Sequence, residues 1–350
     1  MIEKNFLNVS KFLKKQVEEK CIPGAVVGVT TAEKTIYKKA FGYGHYTKNI
    51  AMNNETIFDL ASLTKVIATL PSILQLLDRG ELDLDDSISI YFPPFEKHHR
   101  DITIKHLLTH TSGFQPEIKF YQKNISRNDS VTFISQIEDK RKAGEQVIYS
   151  DLNFLLLGSL VETLTGLSLA EYTKKFIYDP LDMQNTYFNP PKDRLNQIAA
   201  TEFNETLKEY QWGEVHDENA FHFGGVSGHA GLFSNVEDLA RFARMILNGG
   251  VYKGNQILSS QSVELSMKTY TKNLNLNRGL GWQLVDTSTF SGQFLQDGFG
   301  HTGFTGTSIW FSKERKFSII LLTNRVHFGR ETDISRLRRV VHNLIALAMD

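Results

Sequence analysis

Residues 58–65 read FDLASLTK and contain a Ser-x-x-Lys pair, Ser62 and Lys65. The residues that follow, VIATLPSILQLLDR, are mostly good helix formers and run to Gly80. The pattern predicts Ser62 at or just inside a helix N-terminus, with Lys65 one turn on. Residues three apart on a helix share a face, so the ammonium reaches the hydroxyl. Unpaired N–H groups at a helix start carry partial positive charge. They favour an oxyanion forming on a carbonyl that Ser62 attacks. A serine nucleophile needs both, a neighbouring base and an anion-stabilising pocket. Taken alone, the pair fits an N-cap serine followed by a solvated lysine even better.

Working outward, Pro71 falls within the helical run and should interrupt it one residue earlier. Upstream, 25–30 (AVVGVT) and 35–43 (TIYKKAFGY) read as strands joined by a turn at 32–34. An amphipathic helix precedes them, with Phe6, Val9, Phe12, Leu13 and Val17 on one side. Downstream, 82–200 is mostly helix and loop. In the short helix 103–109 (TIKHLLT), Thr103 is the cap and His106 and His110 lie four apart. That spacing suits a metal, but no Glu follows the first His and no third ligand is evident. Packing or surface histidines are expected, with no metal or cofactor.

Residues 151–165 (DLNFLLLGSLVETLT) read as a buried helix with Asp151 near its start. Tyr149 and Ser150 then lie just before a helix N-terminus. Ser234 and Glu237 form a capping box for the helix ending near Gly249. Strands are expected at 280–285, 303–311 and 317–324, and a closing helix at 335–349. Strands at both ends with helices between imply an α+β fold. We expect one catalytic unit over 1–350. An antiparallel sheet is built from both chain ends, flanked by helices, as an α/β layer of 1–60 with 230–350. Residues 61–229 form a mostly helical layer against it.

The chain has 350 residues, 41% hydrophobic and 22% charged, which suits an ordinary globular protein. Lys+Arg 39 against Asp+Glu 39 argues against nucleic acid or an anionic membrane as the main partner. Cys21 is the only cysteine, so no intrachain disulfide forms. There is no apolar leader-like segment at the N-terminus, and no run of about 18 apolar residues that would span a membrane. A cytoplasmic placement is the simplest expectation. Oligomeric state is left open.

Three pieces now stand in order: Ser62-Leu63-Thr64-Lys65, Tyr149-Ser150-Asp151 and His301-Thr302-Gly303. With the flanks GELDLDDSI (80–88), IKHLLTHTSGF (104–114), YSDLNFLLLGSLVE (149–162) and GHTGFTGTSIWF (300–311), nearly the whole chain resembles the serine β-lactamase and DD-peptidase superfamily. The likeness is to its class-C-like branch, which includes esterases and muropeptide amidases.

The resemblance implies an acyl-enzyme on Ser62, with Lys65 keeping Ser62 reactive and Tyr149 as base or proton relay. His301, Thr302 and Gly303 would line the site on a sheet edge, and the Phe304 N–H would join that of Ser62 in an oxyanion hole. Lys65 and Tyr149, brought together in a partly desolvated site, would share one proton as burial favours the neutral amine. Asp151 stands where the family usually has an Asn that touches the substrate's acyl amide. An ionised carboxylate only accepts hydrogen bonds and repels the carboxylate most β-lactams carry, so poor β-lactam hydrolysis is expected. His301 stands where many members have Lys and should be partly charged near pH 7.

The glycine-rich stretch 215–232 (VHDENAFHFGGVSGHAGL) reads as backbone approaching a ligand or a neighbouring element. Arg278 and Arg325 suit surface salt bridges better than a substrate carboxylate. The function implied is hydrolysis of a small ester or a peptidoglycan-derived amide through an acyl-enzyme. The alternatives are a class C-type β-lactamase, a DD-carboxypeptidase, or a muropeptide binder without catalysis. Neither Gly-x-Ser-x-Gly nor His-Glu-x-x-His occurs, which speaks against an α/β-hydrolase or a metalloprotease.

Overall fold

The computed structural model describes residues 5–138, 141–285 and 290–350. Residues 1–4, the start of the expected first helix, lie outside it. Helix α1 (Leu7–Glu18) turns Val9 and Leu13 inward. Strands β1 (Gly24–Thr31) and β2 (Thr35–His45) form a hairpin, and β3 (Ile50–Ala51) pairs with β2. The middle of the chain supplies α2 (Leu70–Asp78), α3 (Asp151–Thr165) and α4 (Val236–Leu247). The last quarter gives β4 (Gln283–Leu284), β5 (Gly298–Thr302), β6 (Ser308–Ser312), β7 (Phe317–Thr323) and α5 (Ser335–Ala348).

The strands form one seven-stranded sheet in the order β4-β5-β6-β7-β1-β2-β3. Every neighbouring pair is antiparallel. The two chain ends meet at β1 and β7, with Ala25 opposite Thr323 and Thr31 opposite Phe317. Both faces of this seam are covered, so β1 is buried from Gly24 to Thr30 rather than alternating. Ala25, Val27 and Val29 pack with Phe6, Leu13, Val341 and Ile345 of the terminal helices. Val26 faces the other way, into the larger core with Leu239 and Phe242 of α4. Gly28 shares that face, and a Cβ there would lie 2.5 Å from Val236 Cγ2. The glycine therefore lets α4 lie flat on the sheet. A one-residue slip of β1 would exchange the two faces and bury the wrong set.

The middle of the chain is mainly helical, as expected, but it also carries short strands. Phe58–Asp59 and Tyr187–Phe188 pair on either side of Leu232–Ser234. Phe203–Asn204 and Glu209–Tyr210 form a small hairpin. The expected strand 280–285 shrinks to Gln283–Leu284, because Gly281 has φ +72° and Gly279 turns back to bond Trp282 O at 3.0 Å. The expected strand 303–311 begins only at Ser308. Gly306 has φ +118° and its N–H bonds Gly303 O, closing a turn at 303–307. Asn235, not Ser234, caps α4, its side chain accepting from Asp238 N at 2.9 Å. Ser234 is taken by Thr186 (2.7 Å) and Glu237 by Lys38 (2.9 Å). Pro71 lies in the first turn of α2, and the interruption before it is a π-helical turn, Lys65–Thr69. Among the described residues no single helix is long and apolar enough to cross a membrane.

Candidate active site

Ser62 sits in a 3₁₀ turn, Ala61–Leu63, and not at the start of an α-helix as the sequence pattern predicts. Its shape follows from the residues beside it. The buried Asp59 carboxylate accepts from Ala61 N (2.8 Å) and from His216 N (2.6 Å). Ala61 takes φ +47°, a left-handed conformation costing a non-glycine residue about 1 kcal/mol. Thr64 Oγ donates to Ala61 O (2.7 Å) and accepts from Leu232 N (3.1 Å). Ser62 is thereby held out on a braced, strained turn.

The turn after β5 closes on the same segment. Thr305 Oγ donates to Asp59 O (2.7 Å) and Thr307 Oγ to Leu60 O (3.0 Å). A Cβ on Gly303 would lie 2.3 Å from Leu60 O, so only glycine allows this approach. His301, Thr302, Gly303 and Phe304 thus line one cleft with Ser62 and Tyr149, about 530 Å³ in volume.

Lys65 is fully buried. Its Nζ donates to Ser62 Oγ (3.1 Å) and to His229 O (3.1 Å) and pairs with Asp151 Oδ1 at 2.7 Å. Burial pulls the lysine pKa down. The Asp151 carboxylate and the Tyr149 oxygen outweigh it and hold the pKa above the ordinary lysine value. The expected drift towards neutral amine is therefore reversed: Lys65 is an ammonium. The Asp151 carboxylate, expected to meet the substrate's acyl amide, faces Lys65 from the first turn of α3.

The stretch 215–232 approaches both α3 and Lys65. A Cβ on Gly228 would lie 2.0 Å from Phe154 O of α3. Its residue Asp217 accepts from His229 Nε2 at 3.0 Å, and His229 Nδ1 meets Ser227 Oγ at 2.8 Å. Burial pushes the Asp217 carboxyl up, but His229 and Lys65 bring it below the usual carboxylate range. Asp217 and His229 thus join the site from the stretch 215–232, which the sequence left open between approaching a ligand and approaching a neighbouring element.

Tyr149 packs between His110 and His301, with ring centroids 4.6 and 5.8 Å away, and Lys65 Nζ lies 5.0 Å from its own ring centroid. Among the described residues its buried hydroxyl makes no hydrogen bond of good geometry, though its oxygen lies close enough to Lys65 to favour the ammonium. His110 Nδ1 accepts from Ser150 N at 3.1 Å, and burial holds its pKa well below the usual value. His106 folds back to accept from Thr103 N, completing a helix cap. The two histidines do not share a ligand site. His301 is buried, its Nδ1 on Thr302 O at 2.8 Å. Burial, with Lys65 and Arg278 nearby, lowers its pKa well below the usual histidine value. It is neutral at pH 7, which corrects the expected partial charge.

Residues 9–342 match the family profile described as Beta-lactamase. The chain belongs to the beta-lactamase family. It is a serine hydrolase of the β-lactamase and penicillin-binding-protein type. It is 33% identical over 344 residues to a putative D-alanyl-D-alanine carboxypeptidase of Escherichia coli O157:H7, covering 87% of this chain and 79% of that one. It is 32% identical over 344 residues to the N-acetylmuramyl-L-alanine amidase of Bacillus subtilis (strain 168), covering 87% and 78%. A class C beta lactamase crystal structure superposes with a TM-score of 0.80 at 21% identity, over 98% of each chain.

In this serine hydrolase the far wall of the cleft sets Arg325, Arg330 and Arg338 against Glu331 and Asp333, which leaves it net positive. Arg325 Nε donates to Phe304 O at 2.8 Å, and its guanidinium lies 4.6 Å from the Phe304 ring centroid. The half-buried Arg338 donates to Gly303 O (3.2 Å) and Thr307 O (3.1 Å). Among the described residues neither has a carboxylate within ion-pair distance, so the surface salt bridge expected for Arg325 is not formed. Arg278 is buried against Tyr149, 5.6 Å from its ring centroid. Asp151, Asp217 and His229 each bring one ligand atom within 4.8 Å of the others, a grouping that suits a cation. The Lys65 ammonium at 2.7 Å from Asp151 already supplies a positive charge there.

Proposed function

We propose that this enzyme is an amidase that cleaves peptidoglycan-derived fragments at an amide whose amine half carries a free carboxylate. The observation that carries this reading is the pairing of a nucleophile with a basic far wall. Ser62 faces Arg325 and Arg338 across one cleft. Planar guanidiniums with no carboxylate within ion-pair distance among the described residues suit the carboxylate of a departing amino acid or peptide.

The proton path supports amides. Lys65, as an ammonium, accepts the Ser62 proton only by giving one up, and Asp151 lies 2.7 Å away to take it. As the Ser62 Oγ–carbon bond forms, the Ser62 proton moves to Lys65 and a Lys65 proton to Asp151. The oxyanion is held by the N–H groups of Ser62 and Phe304. The carbon–nitrogen bond breaks as Tyr149 donates its phenolic proton to the amine, a leaving group that cannot depart unprotonated. The proton on Asp151 returns through Lys65 to Tyr149, so acylation nets one proton moved from Ser62 to the amine. Water then reverses the sequence to release the acid. The amidase relative acts on a muramyl amide by name, and the carboxypeptidase relatives are the second reading. Both release an amine with a carboxylate.

The test is a substrate panel on wild type and Ser62→Ala: N-acetylmuramyl-L-alanine, a D-alanyl-D-alanine peptide, a chromogenic cephalosporin and a p-nitrophenyl ester. The expected order puts the muramyl amide first and the cephalosporin last. Turnover of the cephalosporin near about 10⁷ M⁻¹s⁻¹ would overturn the reading. A cytoplasmic setting, where wall fragments are taken up again, belongs to the same proposal.

A further inference from the structure

A second, larger hollow of about 1340 Å³ opens beside the Ser62 cleft. It exceeds the usual range for a small-molecule pocket, about 300–1,000 Å³. The two hollows share Arg330 as a wall. Arg330 is fixed there by Glu202 (2.8 Å) and Glu218 (3.0 Å). His216, on the groove side, stacks on Phe304 of the cleft with centroids 5.7 Å apart. A ligand anchored in one hollow therefore reaches the other across a single layer of side chains.

The groove has an unusual lining. Aromatic rings come from Tyr121, Phe203, Tyr210, Trp212 and Phe221. Their setting is rigid. Tyr210 stacks on His327 at 4.0 Å, and Trp212 is bonded through Nε1 to Ile198 O at 2.7 Å. Phe221 is 53% exposed and Leu207, on the facing hairpin, 64% exposed. Such uncovered apolar side chains beside a catalytic cleft point to a ligand that covers them. The same groove carries Glu202, Glu205, Glu209, Glu214 and Glu218 against Lys48, Lys208 and Arg330. Five carboxylates and three cations leave it acidic. Phosphate or nucleotide-linked ligands are disfavoured there, and neutral hydroxyl-rich ones are favoured. Carboxylates accept from hydroxyls, and the C–H face of a pyranose ring packs on an aromatic plane.

We infer that this groove receives the sugar half of the substrate, a neutral N-acetylated muramyl unit whose lactyl carbonyl lies over Ser62. This deepens the amidase reading above and rests on it. It also gives the stretch 215–232 two tasks. Its short helix Glu218–His222 supplies Phe221 to the groove, while Asp217 and His229 close around Lys65.

The experiment compares N-acetylmuramyl-L-alanine with D-lactoyl-L-alanine, the same amide without the sugar. Wild type should favour the muramyl amide by about tenfold or more in kcat/KM. Phe221→Ala and Trp212→Ala should remove most of that preference through KM, leaving lactoyl-alanine and p-nitrophenyl ester turnover within about twofold. No preference in wild type, or equal losses on both amides in the two variants, would overturn the inference. Calorimetric titration of methyl N-acetylmuramide into the Ser62→Ala protein separates groove from chemistry. Heat of binding that disappears with Phe221→Ala supports the groove, even if the catalytic substrate proves to be a D-alanyl peptide. Absence of binding rejects the groove even if the muramyl amide is cleaved.

Discussion

The two adjoining hollows differ in how their charges are held. Over Ser62 a buried side-chain nitrogen meets a partly exposed carboxylate at hydrogen-bond range, Lys65 on Asp151 and His229 on Asp217, with the half-buried Arg338 on two carbonyls. Over Trp212 the cations are themselves exposed, and three carboxylates meet them at the rim, Glu202 and Glu218 on Arg330 and Glu205 on Lys208. Buried pairs are worth much because one partner without the other is stranded in low dielectric. Rim pairs are screened and each is worth about 0–1 kcal/mol. The difference assigns chemistry to the first hollow and recognition to the second, and substitutions in the two should behave differently.

The largest effect should come from splitting the relay. Lys65→Met and Tyr149→Phe should each lower the acylation rate on the order of a hundredfold or more. The double variant should be little worse than the poorer single one, because the two act as a unit. Additive losses in stopped-flow acylation would place the two residues in separate steps.

Asp151→Asn comes next. The sequence comparison suggests that this change would favour cephalosporins and spare esters. With Asp151 facing Lys65 instead, the relay loses its acceptor. We expect kcat to fall about tenfold or more on ester and amide alike, with KM little changed. A variant that hydrolyses esters at the wild-type rate would show that the Lys65–Asp151 pair is structural only.

On the far wall, Arg338→Gln should raise KM about tenfold for amides whose amine half bears a carboxylate, and leave a neutral p-nitrophenyl ester unaffected. Equal effects on both would mean that Arg338 only supports the turn at Gly303. A smaller effect still concerns pH. The His301 pKa is depressed, so the ring stays neutral as pH falls through the ordinary histidine value of about 6.5. The Lys65 pKa is raised, so the ammonium persists as pH rises through the ordinary lysine value of about 10.4. His301→Asn should therefore leave the shape of the kcat/KM profile between about pH 6 and 8 unchanged. Loss of an inflection near pH 6.5 in the variant would show that His301 titrates there.

Much of this was readable from the chain. The sheet from both ends was legible because β1 and β7 are apolar runs bounded by turns, and the order of the three motifs placed Ser62, Lys65, Tyr149 and His301 together. What was hidden depends on contacts between distant segments. Asp59 shapes the nucleophile turn by bonding His216, 157 positions away. The strand expected through 303–311 is broken by the turn that Gly306 closes onto Gly303, which periodicity does not show. The charge states of Lys65 and His301 follow from burial and from neighbours that composition does not reveal. Asp217 and His229 were within a stretch already marked by its glycines, of which Gly228 answers a packing demand, the close approach of its backbone to α3.

The most direct measurement of the account is covalent labelling of the nucleophile. A fluorophosphonate probe should add one adduct per chain, with peptide mass spectrometry placing it on Ser62. Ser62→Ala should show neither adduct nor turnover of the muramyl amide. An adduct on any other residue, or hydrolysis that survives in Ser62→Ala, would contradict an acyl-enzyme on Ser62.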